Sequence, residues 1–281
     1  MAAFLMTARP PFTPFADGSP KFQPGLRRIE PVNWLLPDTE ADIALEAKAK
    51  LFAERPNETF AALAGSEPGQ KEACSLVEQA LGQVCSPTSE PGLLAASRLV
   101  SDDLCLMERQ GEHWVLRAAS LAAPTHFSLA DTLGKSLENL HQPVPDGTPA
   151  LAGKIGKMFD QVPPGAVFER FNWTIQLGNT RFMPDAAPMR AQALLTAPEQ
   201  ASKVLHLRVE RQTILRLPKT LGVLFCIRIC IDPLRNLSAA QAKQLFTAWA
   251  QADEHVRGYK NWAVFDRLMV HFVDNFDFSK N

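Results

Sequence analysis

The stretch Leu205 to Leu234, LHLRVERQTILRLPKTLGVLFCIRICIDPL, constrains this chain more than any other, because it reads as two long strands joined by a Pro-Lys-Thr-Leu-Gly turn. Strand side chains alternate, so Leu205, Leu207 and Val209 fall on one face and His206, Arg208, Glu210 and Gln212 on the other. In the second strand Val223, Phe225, Ile227, Ile229 and Ile231 share a face, opposite Cys226, Arg228, Cys230 and Asp232. Burying the two apolar rows together predicts that Arg208, Glu210, Gln212, Arg228 and Asp232 gather on one surface, with Arg211 out of step. That surface is either the solvated side of an amphipathic hairpin or the lining of a pocket. In the second case two guanidiniums hold or polarise a ligand and one carboxylate acts as base or counter-ion. Spacing alone does not choose.

A net charge of −1, from 29 basic and 30 acidic residues, gives no global field for nucleic acid or an acidic membrane. The first residues, MAAFLMTARPPF, lack the apolar core of a signal peptide, and no apolar run reaches the roughly 18 residues of a membrane span. The expectation is a cytoplasmic protein. Cys74, Cys85, Cys105, Cys226 and Cys230 are odd in number and scattered, which fits reduced thiols. Cys226 and Cys230 stand roughly 13 Å apart along a strand, too far for a shared ion. There is no Cys-x-x-Cys-His for covalent haem, and neither GxGxxG nor GxxxxGK occurs. Any cofactor is therefore held non-covalently.

Seven prolines from residue 10 to residue 37 mark an irregular arm carrying Phe12, Phe15, Phe22 and Trp34. Helices are expected over Asp38–Glu54, Glu58–Ala64 and Glu67–Val84, followed by a loop, SPTSEPG. From Leu104 the period changes to a hairpin turning at Gln110-Gly111, with Trp114, Leu116 and Ala118 on one face. Short helical turns and loop follow, broken by Gly134 and the prolines at 143 and 145. A helix over Ala150–Gln161, a third strand from Val167, a looser segment and the central hairpin come next. Two helices end the chain, one capped by Ser238 and one over Asn261–Val273. The order is that of an α+β protein with a PAS-like antiparallel sheet, short helices enclosing a ligand or haem cavity, and added N- and C-terminal helices. The divisions expected are 1–92 for the arm and first helices, 93–235 for the ligand-binding core, and 236–281 for the last helices.

With those segments in hand, the chain resembles the haem-dependent oxidative N-demethylase family. The resemblance rests on PFTPF, GLRRIEPVNWLLPD, LFAERPNETFAAL, LVSDDLCLM, LADTLGKSLENLHQPVP and FERFNWTI, and is closest in LRVERQTILRLPKTLGVLFCIRICIDPL. It implies a PAS fold enlarged by helices, non-covalent haem b, and oxidative removal of a methyl group from a small secondary amine with dioxygen. Formaldehyde is released, and electrons come from a separate flavin and iron–sulfur reductase. In that frame His141, in LHQPVP, is the expected axial ligand to iron, with His126 and His206 as the fallbacks. Arg208, Glu210 and Arg228 are the expected catalytic groups. They would hold propionates, orient the amine or relay a proton, against the alternative of a surface ion-pair ladder. Asn172 is a further cofactor-side residue. The chain departs from the family pattern at Thr125-His126-Phe127, where a more basic and aromatic segment is usual, and at Asp146-Gly147, where a tyrosine is common. A non-catalytic PAS-type sensor is the alternative from another class. No transmitter or DNA-binding segment accompanies it in this sequence.

Overall fold

The structure, a computed structural model, describes residues 10–21, 25–85, 90–142 and 149–279. The first nine residues, Phe22, most of the SPTSEPG loop, the prolines at 143 and 145 and the Asp146-Gly147 pair lie outside the described residues. Among the described residues the fold is mixed α and β, built on one open sheet of seven strands, every pairing antiparallel. The strands are β1 (Arg27–Ile29), β2 (Phe60–Ala62), β3 (Asp103–Gln110), β4 (His113–Ser120), β5 (Val167–Leu177), β6 (Leu205–Arg216) and β7 (Val223–Pro233). Their spatial order is β1-β5-β6-β7-β3-β4-β2. No helix among the described residues is long and apolar enough to cross a membrane.

The central hairpin forms, but in a register that corrects the expected grouping. Arg216 pairs with Val223, so the connection is six residues, Leu217 to Gly222, closed by Leu217 N–H donating to Gly222 O at 2.9 Å. A five-residue turn would have put Arg208 opposite Asp232; with one residue more, Arg208 lies opposite Ile231, Glu210 opposite Ile229, and Arg211 opposite Arg228. A slip of one residue exchanges the faces of a whole strand. Arg208, Glu210 and Gln212 therefore share their face with Ile227, Ile229 and Ile231, while Arg228 and Asp232 lie on the opposite face beside Arg211. This is stable because neither face is wet: no residue of β6 or β7 is exposed. The Glu72 carboxylate fixes the turn by accepting from Lys219 N, Thr220 N and Thr220 Oγ1 at 2.6–2.7 Å.

One face carries the N-terminal arm, and buried cations hold it there. Arg211 donates to the carbonyls of Trp34 at 2.8 Å and Asn33 at 2.6 Å and to Glu169 at 2.6 Å. Arg228 grips Asp102 Oδ2 through Nε and Nη2 at 2.9 and 2.8 Å and donates to Leu36 O at 2.5 Å. Beside them Lys48 donates to the carbonyls of Ser97, Val100 and Asp102. Trp34, Ala73, Val77 and Leu93 pack on Leu104, Leu215, Leu224 and Cys226 to close this layer. The C-terminal helices cover the far half through Leu245, Trp249, Trp262 and Phe265 against Trp173, Ile175, Leu207 and Val209.

The opposite face carries the short helices Leu129–Thr132, Leu137–His141 and Pro149–Gln161. Leu129, Leu137, Ile155 and Phe159 pack there on Met107, Trp114, Leu116, Ile214 and Val223. Ala118 is not in this cluster but in the arm-side core. The cause is a β-bulge: Leu106 pairs with Ala118 and Met107 with Leu116, so Arg117 is the extra residue and the alternation inverts past it. The helix expected over Glu58–Ala64 is a single turn, Pro56–Thr59, followed by strand β2. Unpaired backbone at the β4 edge accepts Phe60–Ala62 as a neighbour, and that pairing outweighs a weak helical pattern. The Ser238 cap closes a full capping box with Gln241. The expected last helix is interrupted: Asn261 takes a left-handed φ of 54°, a 3-10 turn follows over Trp262–Phe265, and the helix proper is Asp266–Asp274.

Candidate functional site

On the short-helix face, Ile227, Ile229 and Ile231 form an apolar strip with Ala123. Alongside it β6 presents Arg208, Glu210 and Gln212. Their β5 partners Thr174, Asn172 and Arg170 extend the polar row. Glu210 is the centre of this row. Its Oε1 accepts from Thr125 Oγ1 at 2.5 Å, and its Oε2 accepts from Gln212 Nε2 at 2.7 Å and Asn172 Nδ2 at 3.2 Å. Lys260 Nζ donates to Asn172 Oδ1 at 2.9 Å, adding a buried cation one residue further out. Burial pushes the Glu210 carboxyl up, but the Thr125 hydroxyl, Arg208, Lys260 and Asn172 outweigh it and hold the group below its usual value. Burial pulls Lys260 down to about 8, with Glu210 opposing and Arg170 adding to the fall. The site therefore keeps a permanent anion beside a lysine that titrates close to neutrality.

Arg208 is wholly buried and fully engaged. Nε donates to Thr125 Oγ1 at 2.9 Å, Nη1 to Gln176 Oε1 and Thr180 O, and Nη2 to Ala123 O at 2.7 Å, Pro124 O and Arg181 O. It ties two loops to the sheet and, by orienting the Thr125 hydroxyl, aims a donor at Glu210. Arg170 contrasts with it: no hydrogen bond links its guanidinium to another side chain or carbonyl among the described residues. Burial lowers it and Glu210 counteracts that.

Two histidines border the row. His141 Nδ1 lies 2.8 Å from Leu137 O. A carbonyl only accepts, so Nδ1 carries the proton and, in the neutral ring, Nε2 keeps its lone pair. Burial holds that ring below its usual pKa, with the Leu137 bond opposing and Arg170 adding. His126 follows Thr125 with φ 62°, fixed by its N–H donating to Met183 O at 2.8 Å. Its Nε2 is buried without a partner among the described residues, and burial, Arg208, Lys260 and Arg190 push it down to about 4. His206 sits at the far end of β6, with Nδ1 2.9 Å from Val204 O and Arg235 nearby. Arg228 is on the arm face, so the fold brings together Glu210, Asn172 and Arg208, borders them with His126 and His141, and leaves Arg228 and His206 apart from them.

Arg170 and Lys260 were missed by sequence reasoning. Arg170 was available in part: in FERFNWTI it alternates in phase with Asn172, and the β5–β6 pairing sets Asn172 opposite Glu210 and Arg170 opposite Gln212. Lys260 offered no signal, since it lies in a polar stretch 88 residues from the Asn172 it bonds.

A family described as haem-dependent oxidative N-demethylase, alpha subunit-like, matches residues 79–270, more than half of the 281 residues. The chain belongs to this family. The demethylase-like match includes Thr125, His126, His141, Arg170, Asn172, Arg208, Glu210 and Lys260. The arm carbonyls held by Arg211 and Arg228 lie outside it. The family's description specifies haem and oxidative chemistry. The residues on the short-helix face fit such a group. They supply a neutral imidazole whose far nitrogen, like a desolvated guanidinium beside it, has no hydrogen bond among the described residues, and an apolar isoleucine strip.

Proposed function

We propose that this protein is a haem-dependent oxidative N-demethylase that removes a methyl group from a small secondary amine, in a PAS-like pocket on the short-helix face. Haem b, held non-covalently, would supply activation of dioxygen for oxidation of the methyl carbon next to nitrogen. His141 would hold the iron through Nε2, since its Nδ1–H donates to the Leu137 carbonyl and neutrality is favoured by burial. His126 is the fallback ligand on the strength of its unpartnered buried Nε2. Arg170 would meet a propionate. Asn172 belongs to the cofactor side only through Glu210 and Lys260, which it bridges.

The observation that carries this reading is the buried, ionised Glu210 beside an apolar strip. A secondary amine is a cation at neutral pH, and a desolvated carboxylate fixes its nitrogen while the strip accepts its carbon atoms. Thr125, Gln212 and Asn172 hold the carboxylate in one rotamer. Lys260, near its titration point, can take up or release a proton as the amine changes charge, while Asn172 holds it beside Glu210. The oxidised methyl group leaves as formaldehyde. Electrons would come from a separate flavin and iron–sulfur reductase, as the resemblance to the family implies.

The test is the visible spectrum of protein expressed with ample haem supply, oxidised and then reduced, beside His141→Ala. A Soret band in the wild type that is lost or shifted in the variant, with amine-dependent formaldehyde release, is the expected result. A wild type with no Soret band after haem reconstitution overturns the proposal.

A further inference from the structure

Away from the proposed pocket, two cysteine sulfurs already touch. Cys74 lies in the Glu67–Leu81 helix and Cys85 four residues beyond its end, and their Sγ atoms are 2.9 Å apart although both are free thiols. The chain returns for a local reason. Gly82 takes φ 62° and ends the helix, Gln83 N–H donates to Glu78 O at 3.1 Å, and Cys85 N–H donates to Glu78 Oε1 at 2.7 Å. The segment thus folds back over the final helical turns and delivers Cys85 to Cys74. Glu78 also lies within 4.8 Å of both sulfurs, which raises a metal-binding alternative. The sulfur separation argues against it: two thiolates on one tetrahedral zinc, each bonded at about 2.3 Å, stand about 3.8 Å apart. A disulfide needs a further approach to about 2.05 Å, less than 1 Å from where the sulfurs stand.

We propose that Cys74 and Cys85 are a reversible oxidation site that closes to an intramolecular disulfide under hydrogen peroxide. One thiol, as its thiolate, attacks a peroxide oxygen; the O–O bond breaks, sulfenic acid forms and one water leaves. The second sulfur displaces that hydroxyl, the S–S bond forms and a second water leaves. Two thiols and one peroxide give one disulfide and two waters; the sulfurs lose two electrons and the peroxide gains them. Selectivity comes from access and proximity. Cys74 and Cys85 are half-buried, whereas Cys105, Cys226 and Cys230 are buried in the sheet. Acidity works against the step, since burial and the Glu78 carboxylate raise both thiols, and proximity of the second sulfur is what favours closure. Closure also reaches the core of the fold. The helix bearing Cys74 is the one whose Glu72 holds the β6–β7 turn, so tying its end braces the central hairpin.

The test treats the full-length protein with hydrogen peroxide, counts free thiols under denaturing conditions and maps cross-linked peptides by mass spectrometry. The expected result is loss of two of the five thiols, a Cys74–Cys85 cross-link recovered by dithiothreitol, and a melting temperature raised by a few degrees. Cys74→Ser and Cys85→Ser should each abolish all three effects, and either variant suffices if the other folds poorly. Retention of all five thiols, a cross-link through another cysteine, or a disulfide between two copies overturns the proposal. So does thiol reactivity that appears only when a chelator releases zinc.

Discussion

Glu210→Gln is the change whose consequences can be worked furthest from the structure. It keeps the shape of the side chain and removes the anion that faces Lys260 and Arg170 and that shares Arg208 with Asp103. Deleting one partner of a buried ion pair ordinarily costs about 3–5 kcal/mol. Here the penalty is capped, because Lys260 titrates at about 8 and can shed its proton. At pH 7 that neutralisation costs one pK unit, about 1.4 kcal/mol. The hydrogen bonds survive: the new amide can offer its oxygen to Asn172 and Gln212 and its nitrogen to Thr125. Destabilisation at pH 7 is therefore about 1–2 kcal/mol, read from denaturant unfolding. Binding of the amine suffers more, since a hydrogen bond to a charged group is worth about 1.5–3 kcal/mol. That converts to a rise in KM of roughly 10- to 150-fold with a smaller change in kcat. The assay is amine-dependent formaldehyde release at pH 7 and again at pH 9. In the wild type, activity that needs the Lys260 charge falls through about pH 8, and the variant should lose it at lower pH because Glu210 no longer raises that lysine. A KM for the cationic amine within about 2-fold of wild type, in a variant that is folded and holds haem, would refute the argument.

Arg228→Met should destabilise by about 3–5 kcal/mol, because it leaves the Asp102 carboxylate buried without its cation. In whatever fraction folds, the KM for amine should be unchanged, since the residue is on the arm face; a selective KM effect would contradict the register. Arg170→Met should weaken haem retention, seen as faster transfer of haem to apomyoglobin, with little change in unfolding free energy because no hydrogen bond among the described residues is lost. The pH dependence of stability should carry the mark of His126. Its folded pKa of about 4 lies below the ordinary histidine value of 6.5, so between those values the unfolded chain binds the extra proton. Stability contributed by the neutral ring is intact above pH 6.5 and falls as pH drops towards 4, by roughly 2–3 kcal/mol after discounting for partial exposure. His126→Gln should flatten that slope in urea titrations across the window. Ser238→Ala removes the capping box and should cost about 1 kcal/mol in thermal or urea unfolding.

The strands of the central hairpin were legible because β-branched residues alternate with polar ones over eleven or twelve positions. Their mutual register was not, because it turned on whether Leu217 belongs to the strand or to the turn. That one residue decided whether Arg228 joined Glu210 or stood behind it. The Arg117 bulge made the same kind of difference to Ala118, and no local pattern announced it. His141 Nδ1, by contrast, finds its acceptor at Leu137, four residues back on the same short helix. A bond of that range is written in the local sequence.

The arginines show why a site inside a doubly covered sheet is hard to read. Of those on β5, β6 and β7, Arg208, Arg211, Arg216 and Arg228 each donate to backbone carbonyls of distant segments. A carbonyl has no residue identity, so nothing in the sequence distinguishes an arginine that will be anchored this way from one that will remain available. Alternation sorts them by face, and only the packed loops sort them by occupation. Arg208 and Arg170 lie on the same face, two strands share them, and both feel Glu210. The first is spent on Ala123, Pro124, Thr180 and Arg181 and can only position Thr125. The second has no hydrogen bond from its guanidinium among the described residues, which under the proposed function leaves it to meet a propionate. If that division holds, a lysine at 208 should break the loops it joins and unfold the site, whereas a lysine at 170 should preserve the fold and still meet an anion, since a point charge suffices there and a fork does not.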